Sequence, residues 1–93
     1  MFKVNQYFDG HVVSMAFENE EGRATVGIMA PGEYEFGTST IELMTVISGE
    51  MTVLLPSETE WKTFRPYETF RVEKDCKFNL IIKADCAYKC IYQ

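Results

Sequence analysis

The residue best suited to hold an anion is Arg23. It follows Gly22 at the head of a run of mostly small residues, Ala24 to Gly27. There a planar guanidinium can grip an oxyanion through two parallel N–H bonds. The same position also suits a solvent-facing arginine at the end of a hairpin. His11, the one histidine, follows Asp9-Gly10; acting as a general acid it needs a catalytic partner, and a surface turn is its alternative place. Cys86 and Cys90 have ligand-like spacing, but four residues of extended chain span about 13 Å, too far for one metal to bridge. With Cys76 they read as packed thiols. The chain has no Gly-rich phosphate loop, nucleophile elbow or Cys-His arrangement.

The segments that must position these residues are short and extended. Turn signals recur at Asp9-Gly10, Asn19 to Gly22, Pro31-Gly32, Gly37 to Thr40, Ser48-Gly49, Pro56-Ser57, Arg65-Pro66, Lys74-Asp75 and Ala84-Asp85. Between them the runs Val12–Phe17, Arg23–Met29, Glu33–Phe36, Leu43–Ile47, Met51–Leu55, Phe70–Val72, Lys77–Lys83 and Ala87–Tyr92 are rich in β-branched and aromatic residues. This is the pattern of an all-β sandwich or barrel, with no long helix. Tyr34 and Phe36 alternate with Glu33 and Glu35, and Phe78, Leu80 and Ile82 share a face. Leu43–Ile47 and Met51–Leu55 are apolar on both sides, which predicts burial inside and again under a second sheet or subunit.

Ninety-three residues make one domain, 1–93, and a lone copy this small is marginal, so a partner subunit is expected. Nine Lys and Arg against fourteen Asp and Glu give a net charge of −5, without a basic stripe. Nucleic acid is therefore an unexpected partner, and an anionic ligand needs a local positive group. Three cysteines, an N-terminus without an apolar core and no run long enough to span a bilayer predict a cytoplasmic protein with no membrane partner.

The stretch Gly32 to Gly49 resembles the first motif of cupins, which are jelly-roll β-barrels. Glu42 and Gly49 keep the motif's glutamate–glycine spacing, whereas its two histidines correspond to the neighbourhood of Thr38, which has none. Phe78 stands where the second motif has a histidine. The expectation is a single cupin-type jelly-roll barrel without a metal, since a first-row ion needs about three protein ligands. A metallocupin would need ligands from elsewhere.

Within cupins the likeness narrows. Gly22 to Met29, Pro31 to Phe36, Glu42 to Gly49, Val53 to Pro56, Trp61, Tyr88 and Cys90 together resemble the pyrimidine/purine nucleoside phosphorylase family over nearly the whole chain. One departure is Glu73-Lys74, where the family has a Pro-Gly-like pair. The resemblance implies phosphorolysis of purine and pyrimidine nucleosides to free base and pentose 1-phosphate by a homodimer, with phosphate as co-substrate and no cofactor. Glycosidic cleavage through an oxocarbenium-like state needs a phosphate cradle, a hold on the ribose and a place for the departing base. Arg23 is the expected phosphate residue. Glu42, placed inside the barrel by its cupin spacing, is expected to hold ribose hydroxyls and steady the cation; its alternative is a strand-end carboxylate in solvent or paired with a lysine. Tyr34 and Phe36 form the expected stacking wall, with Met44 and Phe78 lining the same cavity, or all four are core. Thr38 and Ser39 offer hydroxyls or simply shape a turn. Tyr88 and Trp61 complete the candidates. A small-molecule-binding cupin without catalysis, and a purely structural dimer with a filled barrel, are the competing functions.

Overall fold

Alternation along the strands decides the architecture. A computed structural model describes residues 1–93 as ten strands and no helix. They are β1 Val4–Tyr7, β2 Val12–Asn19, β3 Gly22–Met29, β4 Gly32–Gly37, β5 Glu42–Ser48, β6 Met51–Leu54, β7 Lys62–Phe64, β8 Thr69–Val72, β9 Lys77–Ile82 and β10 Cys86–Tyr92. All eight expected strands are present. β1 and β7 are additions, both at sheet edges and both too short to carry a clear apolar pattern.

The strands form two antiparallel sheets, ordered β1-β2-β3-β10-β5-β8 and β4-β9-β6-β7. From β3 to β6 each successive strand changes sheet, and β7 to β10 change sheet again, as in a jelly roll. No ladder joins the two sheets, so they meet through side chains as a sandwich. Residues two apart share a face. Val12, Met29, Val46, Val72 and Cys86 of the larger sheet thus meet Met51, Val53, Phe78, Leu80 and Ile82 of the smaller one in a core where each is at most 2% exposed. Each such side chain contributes roughly 1.5–3 kcal/mol by leaving water.

No second sheet of this chain covers the outer faces of β5 and β6, which leaves a subunit as their expected cover. Ile47 is 38% exposed, and Leu43 and Leu54 are half-buried. The chain itself supplies nothing to seal their outer faces.

The core is closed at one end and open at the other. Cys86, Val46 and Ile82 lie toward the closed end, where Gly49 takes a positive φ of 86° after β5. A Cβ there would lie 2.8 Å from the Asp85 carbonyl oxygen. The seven residues of β5 therefore run from Glu42 at the open end to the turn at Gly49. Gly27 is as confined: an added Cβ would lie 2.5 Å from the Val13 carbonyl oxygen and 2.9 Å from the Tyr88 hydroxyl. Gly27→Ala must push backbone apart, and it is expected to lower the melting temperature by roughly 5–15 °C; a thermal melt with unchanged stability would show that β2 and β3 part easily.

Candidate active site

The open end holds a cavity of about 240 Å³. Register explains its walls. On the larger sheet the inward positions are Tyr7 of β1, Ser14 of β2, Met29 of β3, Tyr88, Cys90 and Tyr92 of β10, and Glu42 and Met44 of β5. Opposite them stand Phe36 of β4 and Phe78 of β9, cross-strand partners whose rings stack with centroids 5.9 Å apart. Met44 and Phe78 are 4% and 1% exposed. Five expected site residues, Glu42, Phe36, Met44, Phe78 and Tyr88, thus line one cavity.

Glu42 is half-buried. No lysine, arginine or histidine lines this cavity. Removal from water raises the Glu42 pKa from the usual carboxylate range, while a hydrogen bond from Cys90 works in the opposite direction. The Cys90 Sγ donates to Glu42 Oε1 at 3.4 Å. Burial pushes the Tyr88 hydroxyl up to about 12, so it stays protonated. Burial also raises Tyr92, whose hydroxyl is 3.0 Å from Thr25 Oγ1.

Three expected residues fall elsewhere. Arg23 lines a neighbouring outer groove of about 560 Å³. It lies on the same face of β3 as Thr25, further toward the rim, is exposed, and takes part in none of the ion pairs. Groove and cavity share Tyr7 and Tyr92. Ser39, Thr40, Asn5 and Glu18 also line the groove. Tyr34 does not line the cavity, a correction: its hydroxyl donates to the Ala30 carbonyl at 2.6 Å, and its ring supports Phe36 from behind at 6.2 Å, with Phe8 packed on both. Thr38 is a second correction. Its hydroxyl donates to the Glu73 carbonyl at 2.7 Å and accepts from the Cys76 N–H at 3.0 Å. It ties the β4–β5 connection to the turn before β9 and has no donor left for a ligand. That bond also anchors the Glu73-Lys74 turn. His11 is exposed, with Nδ1 2.7 Å from the Phe8 carbonyl oxygen, and Trp61 is 45% exposed; neither reaches the cavity. Tyr7, Ser14, Cys90 and Tyr92 were not expected there. Period two along Ala87–Tyr92 contained a signal for Cys90 and Tyr92, since both share the face of Tyr88.

Residues 2–92 match the family described as pyrimidine/purine nucleoside phosphorylase. The chain belongs to that family. A pyrimidine/purine nucleoside phosphorylase of Pseudomonas putida strain W619 is 57% identical over 93 residues, covering 100% of this chain and 99% of the relative. A Vibrio parahaemolyticus protein of unknown function has a solved structure that superposes with a TM-score of 0.94 at 42% identity, covering 100% and 99% of the two chains. An RmlC-like cupin from Shewanella frigidimarina aligns at a TM-score of 0.75 and 14% identity, over 97% of this chain and 81% of its own. That likeness shows the fold to be a cupin. Nucleoside phosphorylase relatives thus extend over the whole sandwich, cavity and groove included.

A desolvated carboxylate without a counter-ion opposes folding once it ionises. Because its folded-state pKa is raised, its contribution is most favourable below its unfolded value and is lost as pH rises through the folded value. Glu42→Gln is therefore expected to raise the melting temperature at pH 7–8, with the gain shrinking toward pH 4. Thermal melts across that range check this; a gain independent of pH would mean that Glu42 is not charged in the cavity.

Proposed function

We propose that the protein catalyses phosphorolysis of purine and pyrimidine nucleosides, with phosphate as co-substrate and without a metal or organic cofactor. One observation carries this reading: the cavity of Glu42 and the groove of Arg23 adjoin at Tyr7 and Tyr92. At about 240 Å³ the cavity is smaller than the ~300–1,000 Å³ of usual ligand sites. A base fits there, and a nucleoside with its phosphate must extend into the groove.

In this arrangement the base stacks in the cavity against Phe36 and Phe78. The ribose lies at the junction, within reach of Glu42 and Tyr92. Phosphate sits in the groove at Arg23, facing the anomeric carbon from the side opposite the base. The bond from C1′ to the base nitrogen breaks and its electron pair leaves with the base. A phosphate oxygen forms the new bond to C1′, and the proton carried by phosphate ends on the base. Glu42 opposes the positive charge that builds on the sugar. Arg23 concentrates an anion that the net charge of −5 would otherwise repel. Stacking accepts every base, because each has a π-face, which supports broad specificity. The polar groups around Glu42 include no histidine, in keeping with chemistry that needs no metal.

The reading includes a homodimer. Val4, Met15 and Val26 face each other in register on the outside of the larger sheet, as do Val13, Ile28 and Ala87. Val4, Met15, Val26 and Ile28 are 40–56% exposed, an apolar face that a second copy would cover. Ile28→Glu is expected to yield monomers by light scattering; a wild-type protein that is monomeric at micromolar concentration would remove the dimer.

The activity is tested with EDTA-treated protein, uridine and adenosine, with and without phosphate. Free base and ribose 1-phosphate are expected only with phosphate, with kcat/KM reduced on the order of 100-fold in Arg23→Ala and Glu42→Gln. No base release from folded protein would overturn the reading in favour of a binding cupin.

A further inference from the structure

Cys90 occupies the inward position of β10 between Tyr88 and Tyr92 and is 1% exposed. Across the ladder to β5 its partner is Met44, and the partner of Tyr92 is Glu42. Cys90 and Glu42 are therefore diagonal neighbours on one face, which brings Sγ to 3.4 Å from Oε1. This is the one side-chain hydrogen bond that Glu42 makes. Burial, followed by the charge of Glu42, holds the thiol protonated, so it remains a donor. The other titratable groups facing Glu42 are hydroxyls, Tyr88 and Tyr92 from β10 and Tyr7 from β1. The inward neighbour on β8 is Val72, and the facing sheet presents Phe36 and Phe78. Arg71, next along β8, points outward and pairs with Glu73 at 2.6 Å.

A carboxylate with two rotatable bonds beyond Cβ and no counter-ion has little to fix it. We propose that Cys90 is a positioning residue that holds Oε1 of Glu42 through its thiol and leaves Oε2 turned to the sugar. A thiol is a weak donor. It orients the carboxylate while leaving most of its negative charge for the developing cation, and it adds no charge of its own to the cavity. Cysteine also packs as a small apolar residue, so the device fits within the core. The inference rests on the reading of Glu42 as the sugar-facing carboxylate.

The test pairs two measurements on wild type, Cys90→Ala, Cys90→Val and Cys90→Ser. Alanine and valine both remove the donor, and valine also fills the space, so a packing defect is separated from loss of the hydrogen bond. The first measurement is a carbon NMR titration of the glutamate carboxyls, with Glu42 assigned by its absence in Glu42→Gln. The second is the pH dependence of kcat for uridine phosphorolysis. Both donor-free variants are expected to move the Glu42 midpoint upward by roughly half a unit to one unit. The acid limb of kcat should move with it, and kcat should fall about three- to ten-fold with KM little changed. Serine is expected to return both toward wild type. A Glu42 midpoint that stays at the wild-type value in Cys90→Ala and Cys90→Val would overturn the positioning role even with phosphorolysis intact. A midpoint that moves in a protein without phosphorolysis would leave the positioning in place and remove the reaction.

Discussion

A carboxylate kept partly out of water, with no cation in its cavity, is the constraint around which this small sandwich is arranged. Glu42 is tolerable because it begins β5 at the open end, where desolvation is incomplete and one thiol donates to it. The same strand, seven residues on, reaches the turn at Gly49, where the Asp85 carbonyl leaves no room for a Cβ. The strand thus runs from a polar mouth to a sealed end. The closed end, packed with Val46, Met51, Val53, Ile82 and Cys86, supplies burial that offsets the unfavourable environment of the carboxylate. A domain of 93 residues has limited surface to bury, so a carboxylate held half out of water weighs on its stability.

The cavity and the groove are one concave surface made by alternation. On the inward face of β3, β10 and β5, Arg23, Tyr92 and Glu42 lie along the rim, Thr25, Cys90 and Met44 one row deeper, and Asn5, Ser14 and Tyr88 in the row below, with Tyr7 beside Met29 beyond them. Each strand contributes a few residues, and none carries the site alone. The polarity changes along that surface, from an exposed guanidinium to hydroxyls to a carboxylate against aromatic rings. Phe36, stacked on Phe78, is itself packed by Tyr34 and Phe8. A residue can thus shape a cavity wall without lining the cavity, as Tyr34 does.

The period-two runs foretold eight strands and the faces of Phe36 and Phe78, because alternation survives wherever one face is buried. β1 was illegible for the opposite reason. Val4–Tyr7 is exposed apart from Asn5, and only pairing with β2 makes it a strand, yet it delivers Tyr7 to the junction of cavity and groove. Apolar residues on both faces of β5 predicted a second sheet or a subunit over it, and the chain contains no such sheet, since composition reports how sticky a face is and not what lies over it. Thr38 and Tyr34 went to hydrogen bonds with Glu73, Cys76 and Ala30, backbone partners that no side-chain pattern announces.

By itself the sequence determined the fold class, the inward direction of Glu42 and Phe78 and membership of a nucleoside phosphorylase family, because strand periodicity and motif spacing are local. Only the tertiary structure decided that Cys90 lies beside Glu42, that Thr38 and Tyr34 are structural, and that Arg23 occupies a groove next to the carboxylate. Cys90 and Glu42 are 48 positions apart, and such neighbours are set by the order and register of strands in a sheet, which depend on every other strand having folded.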